Sequence, residues 1–328
     1  MSDKVGVPKP NAVITAIRDE MNGDIELMEE ENDFPPRSLF VQLGLHIYKY
    51  APERLFQCTR FREEEIKNYS LNRGLLFQEL QFLTENLRKD MPTYRRLEND
   101  AGVCRTPESE KKRLTTSKEA YLETGGLSAE KQVFFRCVEA ETGALFQERI
   151  HYIHVRRRDT RYEFGLFYAG AQIPFAYAAF SPLDRQYLQN LLLSQGVPER
   201  RLLVLTRAFC FPGSPYNAMS ALYGRCFRYL KKEVGDVCVV TALNQNLFFD
   251  GASLRGAEFH PFALVPMKYY YRDGRYVTRR RAESGEQNYE EQKFPAGDII
   301  WYQRGVSLRA TTPAKGLSVI TDEMYDMR

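Results

Sequence analysis

The sequence predicts a protein of the α+β class (mixed α/β), in which a mainly helical N-terminal region precedes a mixed sheet with helices packed on it. Two observations predict this class. Residues 37–100 carry apolar side chains at helical spacing. Beyond residue 144, aromatic and β-branched runs alternate with short polar or glycine turns and with further helical segments. Strands and helices interleaved in this way are typical of a sheet covered by helices.

The N-terminal third divides into segments of different character. Residues 1–36 include eight carboxylates between Asp19 and Asp33, which predicts a flexible acidic segment. Residues 37–117 form the helical region, whose longer helix carries a stripe of Leu and Phe side chains on one side. The polar stretch 105–119 resembles a linker. We therefore expect a second domain over 118–328, ending in a β extension.

The elements of the second domain follow one another with clear boundaries. "SAEKQVFFRCVEAE" predicts a helix that starts near Ser128, and "ALFQERIHYIHV", "RYEFGLFYAG" and "IPFAYAAFS" predict three successive strands. The next segments predict a helix, a strand, a longer helix, a strand and a short helix: "LDRQYLQNLLLSQG", "RLLVLTRAFCF", "SPYNAMSALYGRCFRYLKKEVG", "DVCVVTAL" and "DGASLRGAEF". Further strands follow in "FALVPMKYYYRDGRYVTRR".

Composition limits the classes of function. The 328 residues, 43% of them hydrophobic, suffice for a large core. The six cysteines are scattered without metal-ligand spacing, so reduced thiols and no metal site are expected. No stretch is apolar enough to span a membrane, and the start "MSDKVGVPKP" lacks the apolar centre of a signal peptide. We therefore expect a cytoplasmic protein without a membrane partner.

Positive charge concentrates in the second part of the chain. Residues 1–150 hold 22 Lys and Arg against 26 Asp and Glu, a net −4, whereas residues 151–328 hold 24 against 17, a net +7. Two predicted hairpin turns are especially basic, and such arginines contact phosphates in nucleic-acid-binding proteins. The alternative is an ordinary solvated turn. The candidate nucleic-acid-binding residues are Arg156, Arg157, Arg158 and Arg161 in the first turn, and Arg279 and Arg280 in the second.

The segment "FPGSPYNAMS" connects a predicted strand to a helix. Ser214 followed by Pro215 predicts the helix start, with the serine as N-cap. A glycine-containing loop that leads into a helix N-terminus can bind an anion, because backbone N–H groups and the helix dipole point the same way. Gly213, Ser214 and Asn217 are therefore candidate cofactor-binding residues. The alternative is a well-capped turn without a ligand.

This order of elements resembles the GNAT superfamily of N-acetyltransferases. The resemblance implies a central mixed sheet whose fourth and fifth strands splay apart, with the donor between them and its diphosphate at the helix after the fourth strand. "NQNLFFDGASLRGAEF" is similar to the segment that closes that fold, with Glu258-Phe259 where a Gly-Phe-like pair is usual. The usual pattern Arg/Gln-x-x-Gly-x-Gly/Ala is missing. The donor is therefore left open between acetyl-coenzyme A and an aminoacyl-tRNA.

Residues 146–265 resemble, more narrowly, the Mom family of phage DNA-modification enzymes. The matching pieces, in order, are "HY" at 151–152, "FGLFYAG", "LTR", "SPYNAMSALYGR" and "FDGASLRGAEF". The resemblance implies transfer of a carbamoylmethyl-type group to the exocyclic amine of adenine in double-stranded DNA, which protects phage DNA from restriction. Asn244, a candidate cofactor-binding residue, or its neighbour Gln245 stands where the family has a carboxylate, and Leu254 where a tyrosine is common. The catalytic candidates that it implies are His151, Tyr152, Tyr168, Arg207 and Ser220.

These residue types suit the expected chemistry. His151 is the candidate general base, because the usual histidine pKa of about 6.5 lies near working pH. In a strand, His154 would face away from it. The two tyrosines could donate hydrogen bonds or stack on a base, Arg207 needs an anionic partner, and Ser220 could bind the leaving group. Packing in the core is the alternative for each.

Three functions remain open on the sequence alone. The first is a Mom-like transferase acting on DNA. The second is a coenzyme-A-dependent N-acyltransferase that modifies a small amine or a protein. The third is a binding protein built on a transferase fold that has lost its activity.

Overall fold

The computed structural model describes twelve segments of the chain, and every structural statement below refers to them. They are residues 23–35, 37–50, 73–103, 133–194, 196–215, 217–244, 251–266, 269–272, 275–277, 290–292, 298–305 and 318–319. The predicted linker at 105–119 lies outside these residues.

Helices and strands follow the predicted α+β class. The helices are α1 (23–31), α2 (Ser38–Tyr50), α3 (Arg73–Asp100), α4 (Ala140–Leu145), α5 (Gln186–Ser194), α6 (Ala218–Val234) and α7 (Ala252–Arg255). The strands are β1 (Val133–Cys137), β2 (Tyr162–Tyr168), β3 (Ala176–Pro182), β4 (Leu202–Cys210), β5 (Cys238–Asn244), β6 (His260–Pro266), β7 (Tyr269–Arg272), β8 (Arg275–Val277), β9 (Glu290–Gln292), β10 (Asp298–Arg304) and β11 (Ser318–Val319). A π-helical turn, Phe146–Ile150, extends α4, and a 3₁₀ turn, Glu199–Arg201, precedes β4.

Eight of these strands form one mixed sheet in the order β1-β2-β3-β4-β5-β10-β6-β11. The first four pair antiparallel, β4 and β5 pair parallel, and the remaining neighbours are antiparallel. Strands β8, β7 and β9 form a small separate sheet. Strands β7 and β8 pair antiparallel, as the second predicted hairpin requires, but its turn residues and the arginines at 279 and 280 lie outside the described residues.

Strands β4 and β5 separate after a short paired stretch. Their ladder joins only 202–204 to 238–240, although β4 continues to Cys210 and β5 to Asn244. The register between β3 and β4 shifts by one residue, which leaves Thr206 as a bulge in β4. A bulge bends its strand and strengthens the twist. The Thr241 hydroxyl donates to the Leu205 carbonyl (3.0 Å) where the two strands part. We refer to the open part, 205–210 and 241–244, as the fork.

One hydrophobic core joins the N-terminal helices to the sheet. Phe34, Tyr94 and Leu97 belong to the same buried cluster as the β2, β3 and β4 side chains. Tyr94 meets Phe211 edge-on, with ring centroids 5.2 Å apart. Helix α6 covers the opposite face, where its Tyr229 ring meets Phe164 at 5.0 Å. A second cluster lies under α5 and includes Trp301 of β10.

The first strand and the first helix of the sheet region are exchanged relative to prediction. The expected helix from Ser128 is wrong at β1, where Val133 and Phe135 pack inward while Phe134 is 49% exposed. The expected strand "ALFQERIHYIHV" is also wrong. It forms the end of α4 and the π-helical turn, because Phe146 and Ile150 lie four residues apart and are both buried.

Two predictions about chain ends and caps also differ from the structure. Part of the acidic segment 1–36, residues 23–31, forms a helix, because Ile25 is buried in the core and the buried Glu29 accepts hydrogen bonds from the backbone N–H groups at the start of α2. Burial raises the pKa of Glu29, and those bonds oppose the rise. Ser214 does not cap α6. Its hydroxyl donates to the Phe175 carbonyl (3.2 Å), and α6 begins three residues past Pro215 with Asn217 at the cap.

Candidate functional site

His151 lies immediately after the π-helical turn. Its backbone N–H donates to the Phe146 carbonyl (2.7 Å), which ends the turn and fixes the ring beneath the loop that follows. The side chain is 4% exposed, and its ring stacks on Tyr152 with centroids 4.4 Å apart. Nδ1 accepts a hydrogen bond from the backbone N–H of Ile153 (3.2 Å). The structure thus places the buried imidazole of His151 at a turn, not on the predicted strand.

His151 is neutral in this environment. Burial lowers its pKa well below the usual value, and the positive charge of Arg207 and the neighbouring His154 lower it further. His154 itself is exposed at φ +51 and lies beside the Glu148 carbonyl and Gln42. The two histidines are therefore separated by a turn, and not by alternation along a strand. They are close enough that His154 affects the pKa of His151.

Tyr152 faces the same cation as His151. Burial raises the pKa of its phenol to about 12, and the positive charge of Arg207 opposes the rise. The hydroxyl therefore keeps its proton at neutral pH and can donate a hydrogen bond.

Arg207 lies on β4, next to the bulge and at the start of the fork. One terminal nitrogen donates to the Thr206 carbonyl (2.7 Å) and the other to the Val155 carbonyl (2.8 Å), so the guanidinium holds the loop after His151 against the sheet. Nε is buried without a hydrogen-bond partner, and no carboxylate of the described segments forms an ion pair with this side chain. Burial lowers the pKa of Arg207, and the charge of Arg157 lowers it further.

A buried polar cluster that sequence reasoning missed lies beneath these residues. Gln147, of the π-helical turn, donates to the Tyr177 hydroxyl (3.0 Å) and to Glu163 Oε1 (3.0 Å), and Tyr177 donates to the same carboxylate oxygen. Burial and the bond to Glu163 raise the pKa of Tyr177. The cluster reaches the loop, because Gln147 Oε1 accepts the Arg157 backbone N–H (2.8 Å).

Strand register brings this cluster next to Arg207. Glu163 of β2 lies opposite Ala179 of β3, which lies opposite Arg207 of β4, so the three side chains share one face of the sheet. The alternation in "YEFGLFY", which puts Glu163 on the same face as Gly165, was the signal available in the sequence.

Two of the five catalytic candidates lie elsewhere. Tyr168 is at the far end of β2, about 17 Å along the strand from Glu163, and stacks on Phe175 (4.4 Å). Ser220 lies on α6 against Gly256, where an added Cβ would come within 3.0 Å of its hydroxyl. The structure therefore brings together His151, Tyr152 and Arg207, and leaves Tyr168 and Ser220 in packing positions.

The four cofactor-binding candidates lie around the carboxyl end of the fork. Gly213 and the buried Ser214 form the turn after β4, and Asn217 precedes the first residue of α6. Asn244 ends β5, where its backbone pairs with Ile299 of β10. Beyond α7, Glu258 adopts φ +60 and forms an ion pair with Arg304 (2.7 Å), so a glutamate here takes the left-handed backbone that a glycine would take without strain.

The first basic turn contains both engaged and exposed arginines. Arg157 binds both carboxylate oxygens of Asp159 and lies 3.1 Å from Asp184, and the bond to Asp159 raises its pKa. Its guanidinium therefore holds the loop together. The other arginines of this turn, Arg156, Arg158 and Arg161, are exposed. None of the three forms an ion pair with another described residue.

Two searches of the described segments bear on metals and membranes. Within those segments, no three His, Cys, Asp or Glu side chains are grouped so that they could hold a metal ion. None of the helices there combines the length and the apolar character that crossing a membrane requires.

Comparison with known proteins adds no relative to this picture. No model of a known protein family matches the chain, and no curated protein matches it at a significant level. Fold and site geometry therefore carry the functional argument.

Proposed function

We propose that the protein is a GNAT-like transferase of the Mom type, which adds a small acyl or carbamoylmethyl-type group to the exocyclic amine of adenine in DNA. One observation carries the proposal: His151 stacks on Tyr152, and Arg207, at the start of the fork between β4 and β5, donates to the Val155 carbonyl of the same loop. The fork supports the resemblance to GNAT enzymes, in which the donor lies between the splayed fourth and fifth strands.

The chemistry of transfer explains why this group of side chains suits the role. A new C–N bond forms between the amine and the transferred carbon, the bond from that carbon to the donor breaks, and the amine proton passes to the leaving group of the donor. Negative charge develops on oxygen of the transferred group and on the leaving group. Fixed donors such as a guanidinium, a phenol and an imidazole N–H stabilise that charge best in a site shielded from water.

The exposed arginines of the first basic turn support a polyanionic acceptor. Arg156, Arg158 and Arg161 lie within ten residues of His151, on the loop that Arg207 holds through Val155. Phosphate contacts of this kind position DNA without reading its sequence. A base within a duplex would be flipped out to reach the buried ring of His151.

The direct test is the mass of nucleosides from DNA of cells that express the chain. Wild-type protein is expected to yield a modified deoxyadenosine, whose added mass identifies the transferred group. Arg207→Gln is expected to lower its yield about 100-fold, as for the loss of one oxyanion donor. Arg200→Gln, an exposed arginine in the turn before β4, is the matched control. DNA without any new nucleoside would contradict the proposal.

The fork also favours a second candidate, an N-acyltransferase that uses coenzyme A and acts on a small amine or a protein. An extended donor arm could lie between β4 and β5 whatever the acceptor is. Calorimetric titration with acetyl-coenzyme A, together with DNA binding at low salt, separates the two. Saturable coenzyme A binding without DNA affinity favours this second function.

A further inference from the structure

We propose that His151 and Arg207 form an oxyanion-binding pair, in which the imidazole donates a hydrogen bond from Nε2 and the guanidinium supplies the charge. The ligand class is an oxyanion: a phosphate, a carboxylate or the polarised oxygen of a carbonyl group. This site binds its ligand whether or not the chain modifies DNA. The role also differs from that of a general base, which the sequence favours for His151.

The position of the imidazole proton follows from one hydrogen bond. The backbone N–H of Ile153 can only donate, and it lies 3.2 Å from Nδ1 of His151. Nδ1 therefore keeps its lone pair for that bond. A neutral imidazole carries its single proton on the other nitrogen, so Nε2 is an N–H donor.

The surroundings oppose a second proton on the ring. The charged and titratable groups that act on His151 are Arg207 from β4, His154 from its own loop and Tyr152 beside it. Neither Arg207 nor His154 favours an imidazolium at His151, and Tyr152 keeps its proton at neutral pH. No carboxylate of the described segments bonds to the His151 ring to stabilise a positive charge. A ring that does not readily accept a proton is a poor general base. It keeps its Nε2–H as a hydrogen-bond donor.

Arg207 provides the second, independent observation. Its two terminal nitrogens bond to backbone carbonyls, which neutralise no charge, and its buried Nε has no hydrogen-bond partner in the described chain. A half-buried cation without a carboxylate partner is stabilised by an anionic ligand. Nε2 of His151 forms no hydrogen bond with the residues that the structure describes. Both groups are donors, so their common ligand is an acceptor that carries negative charge.

The tautomer can be read directly by NMR on the full chain. The protein contains only four histidines, so selective ¹⁵N-histidine labelling gives four imidazole spin systems, and His151→Gln assigns one of them. The His151 signals are expected to show a neutral Nε2–H ring across about pH 5.5–8. A neutral ring with its proton on Nδ1, or protonation with a midpoint near 6.5, would overturn the proposal. This reading needs neither substrate nor activity.

Ligand binding is tested in the same sample with two simple anions. Inorganic phosphate and acetate are titrated separately at millimolar concentrations, and a saturable shift of the His151 Nε2–H signal is expected with at least one. A response to phosphate assigns a phosphorylated ligand, and a response to acetate assigns a carboxylate or carbonyl ligand. If neither anion shifts the signal, the proposal is wrong even where the nucleoside test succeeds.

Two variants test whether the positive charge that binds the anion belongs to Arg207. Arg207→Gln is expected to weaken anion binding about 10- to 100-fold, as for the loss of a charged hydrogen-bond donor. Arg200→Gln removes the same charge at the other end of β4 and is expected to leave binding unchanged. Equal weakening by the two variants would show a general charge effect and overturn the pairing. The Nε2–H signal of each variant reports at the same time whether the loop around His151 is intact.

Discussion

A neutral, buried histidine makes folding stability depend on pH at the level of a single residue. The pKa of His151 is lowered in the folded chain, so below about pH 6.5, the unfolded value, the unfolded chain binds more protons than the folded chain. The stability that the neutral ring contributes is therefore fully present above that pH and is lost as pH falls toward the folded pKa.

Replacement of this histidine should flatten the acid side of the stability curve. In His151→Gln, we expect the slope of unfolding free energy between about pH 5 and 6.5 to fall by up to about 1.4 kcal/mol per pH unit, the effect of one proton. Urea unfolding at a series of pH values measures it. His260→Gln, at an exposed histidine on β6, is the control for the loss of a histidine as such. An unchanged slope in His151→Gln would show that the ring is not held neutral.

Helix α4 and strand β2 meet at a glycine. A Cβ on Gly143 would lie 2.6 Å from the carboxyl carbon of Glu163. That carboxylate could not move aside without loss of its bonds to Gln147 and Tyr177. Gly143 thus allows α4 to approach the cluster of Gln147, Glu163 and Tyr177. The Arg157 backbone N–H of the first basic turn bonds to the same cluster.

The close approach of these two elements can be tested by a double-mutant cycle. Gly143→Ala is expected to cost about 1–3 kcal/mol of unfolding free energy. In a Glu163→Ala background the same change should become neutral or stabilise by up to about 1 kcal/mol, because alanine is the better helix former. Additive effects of the two changes would contradict the contact.

The same elements show what sequence patterns can and cannot predict. Strands β2 to β5 and helices α5 and α6 were predicted because each carries a clear apolar pattern, whereas α7 has only four residues, "ASLR". Strand β1 and the π-helical turn were not, since "VFFRC" is a short edge strand and Phe146 and Ile150 lie within an aromatic run that also suits a strand.

Site residues divide in a similar way. His151, Tyr152 and Arg207 were singled out through a resemblance in the order of motifs, and the structure brings them together. Glu163 and Tyr177 were missed, because their contact with Gln147 depends on the β2–β3 register and on a turn type that local sequence does not specify. Tyr168 was grouped with the site through the same resemblance, because the sequence does not show which end of β2 lies nearer to Arg207.

At the scale of the whole molecule, the N-terminal helices complete the core of the sheet. Tyr94 of α3 packs edge-on against Phe209 and Phe211, on the face that carries Arg207. Tyr94→Ala is expected to cost about 3–5 kcal/mol of unfolding free energy. Phe134→Ala, at an exposed aromatic on β1, should cost less than about 1 kcal/mol.

The same packing predicts that the sheet region depends on those helices. A chain limited to 118–328 would uncover Phe209 and Phe211, and we expect it to bind a hydrophobic dye and to unfold without a cooperative transition. If it folds cooperatively with the stability of the full chain, the helical region is a separate domain, as its sequence boundary at residue 117 suggests.

The fork separates two halves of the sheet, and the fluorescence of Trp301 reports on one of them. Among the described residues, backbone pairing joins the half of the sheet from β1 to β4 to the half from β5 onward only at 202–204 with 238–240. The protein's one tryptophan, Trp301, is buried in that second half, on β10 between β5 and β6. Tryptophan fluorescence therefore has a single source, located on one side of the fork. A ligand that wedges the two halves apart would change that emission without any label.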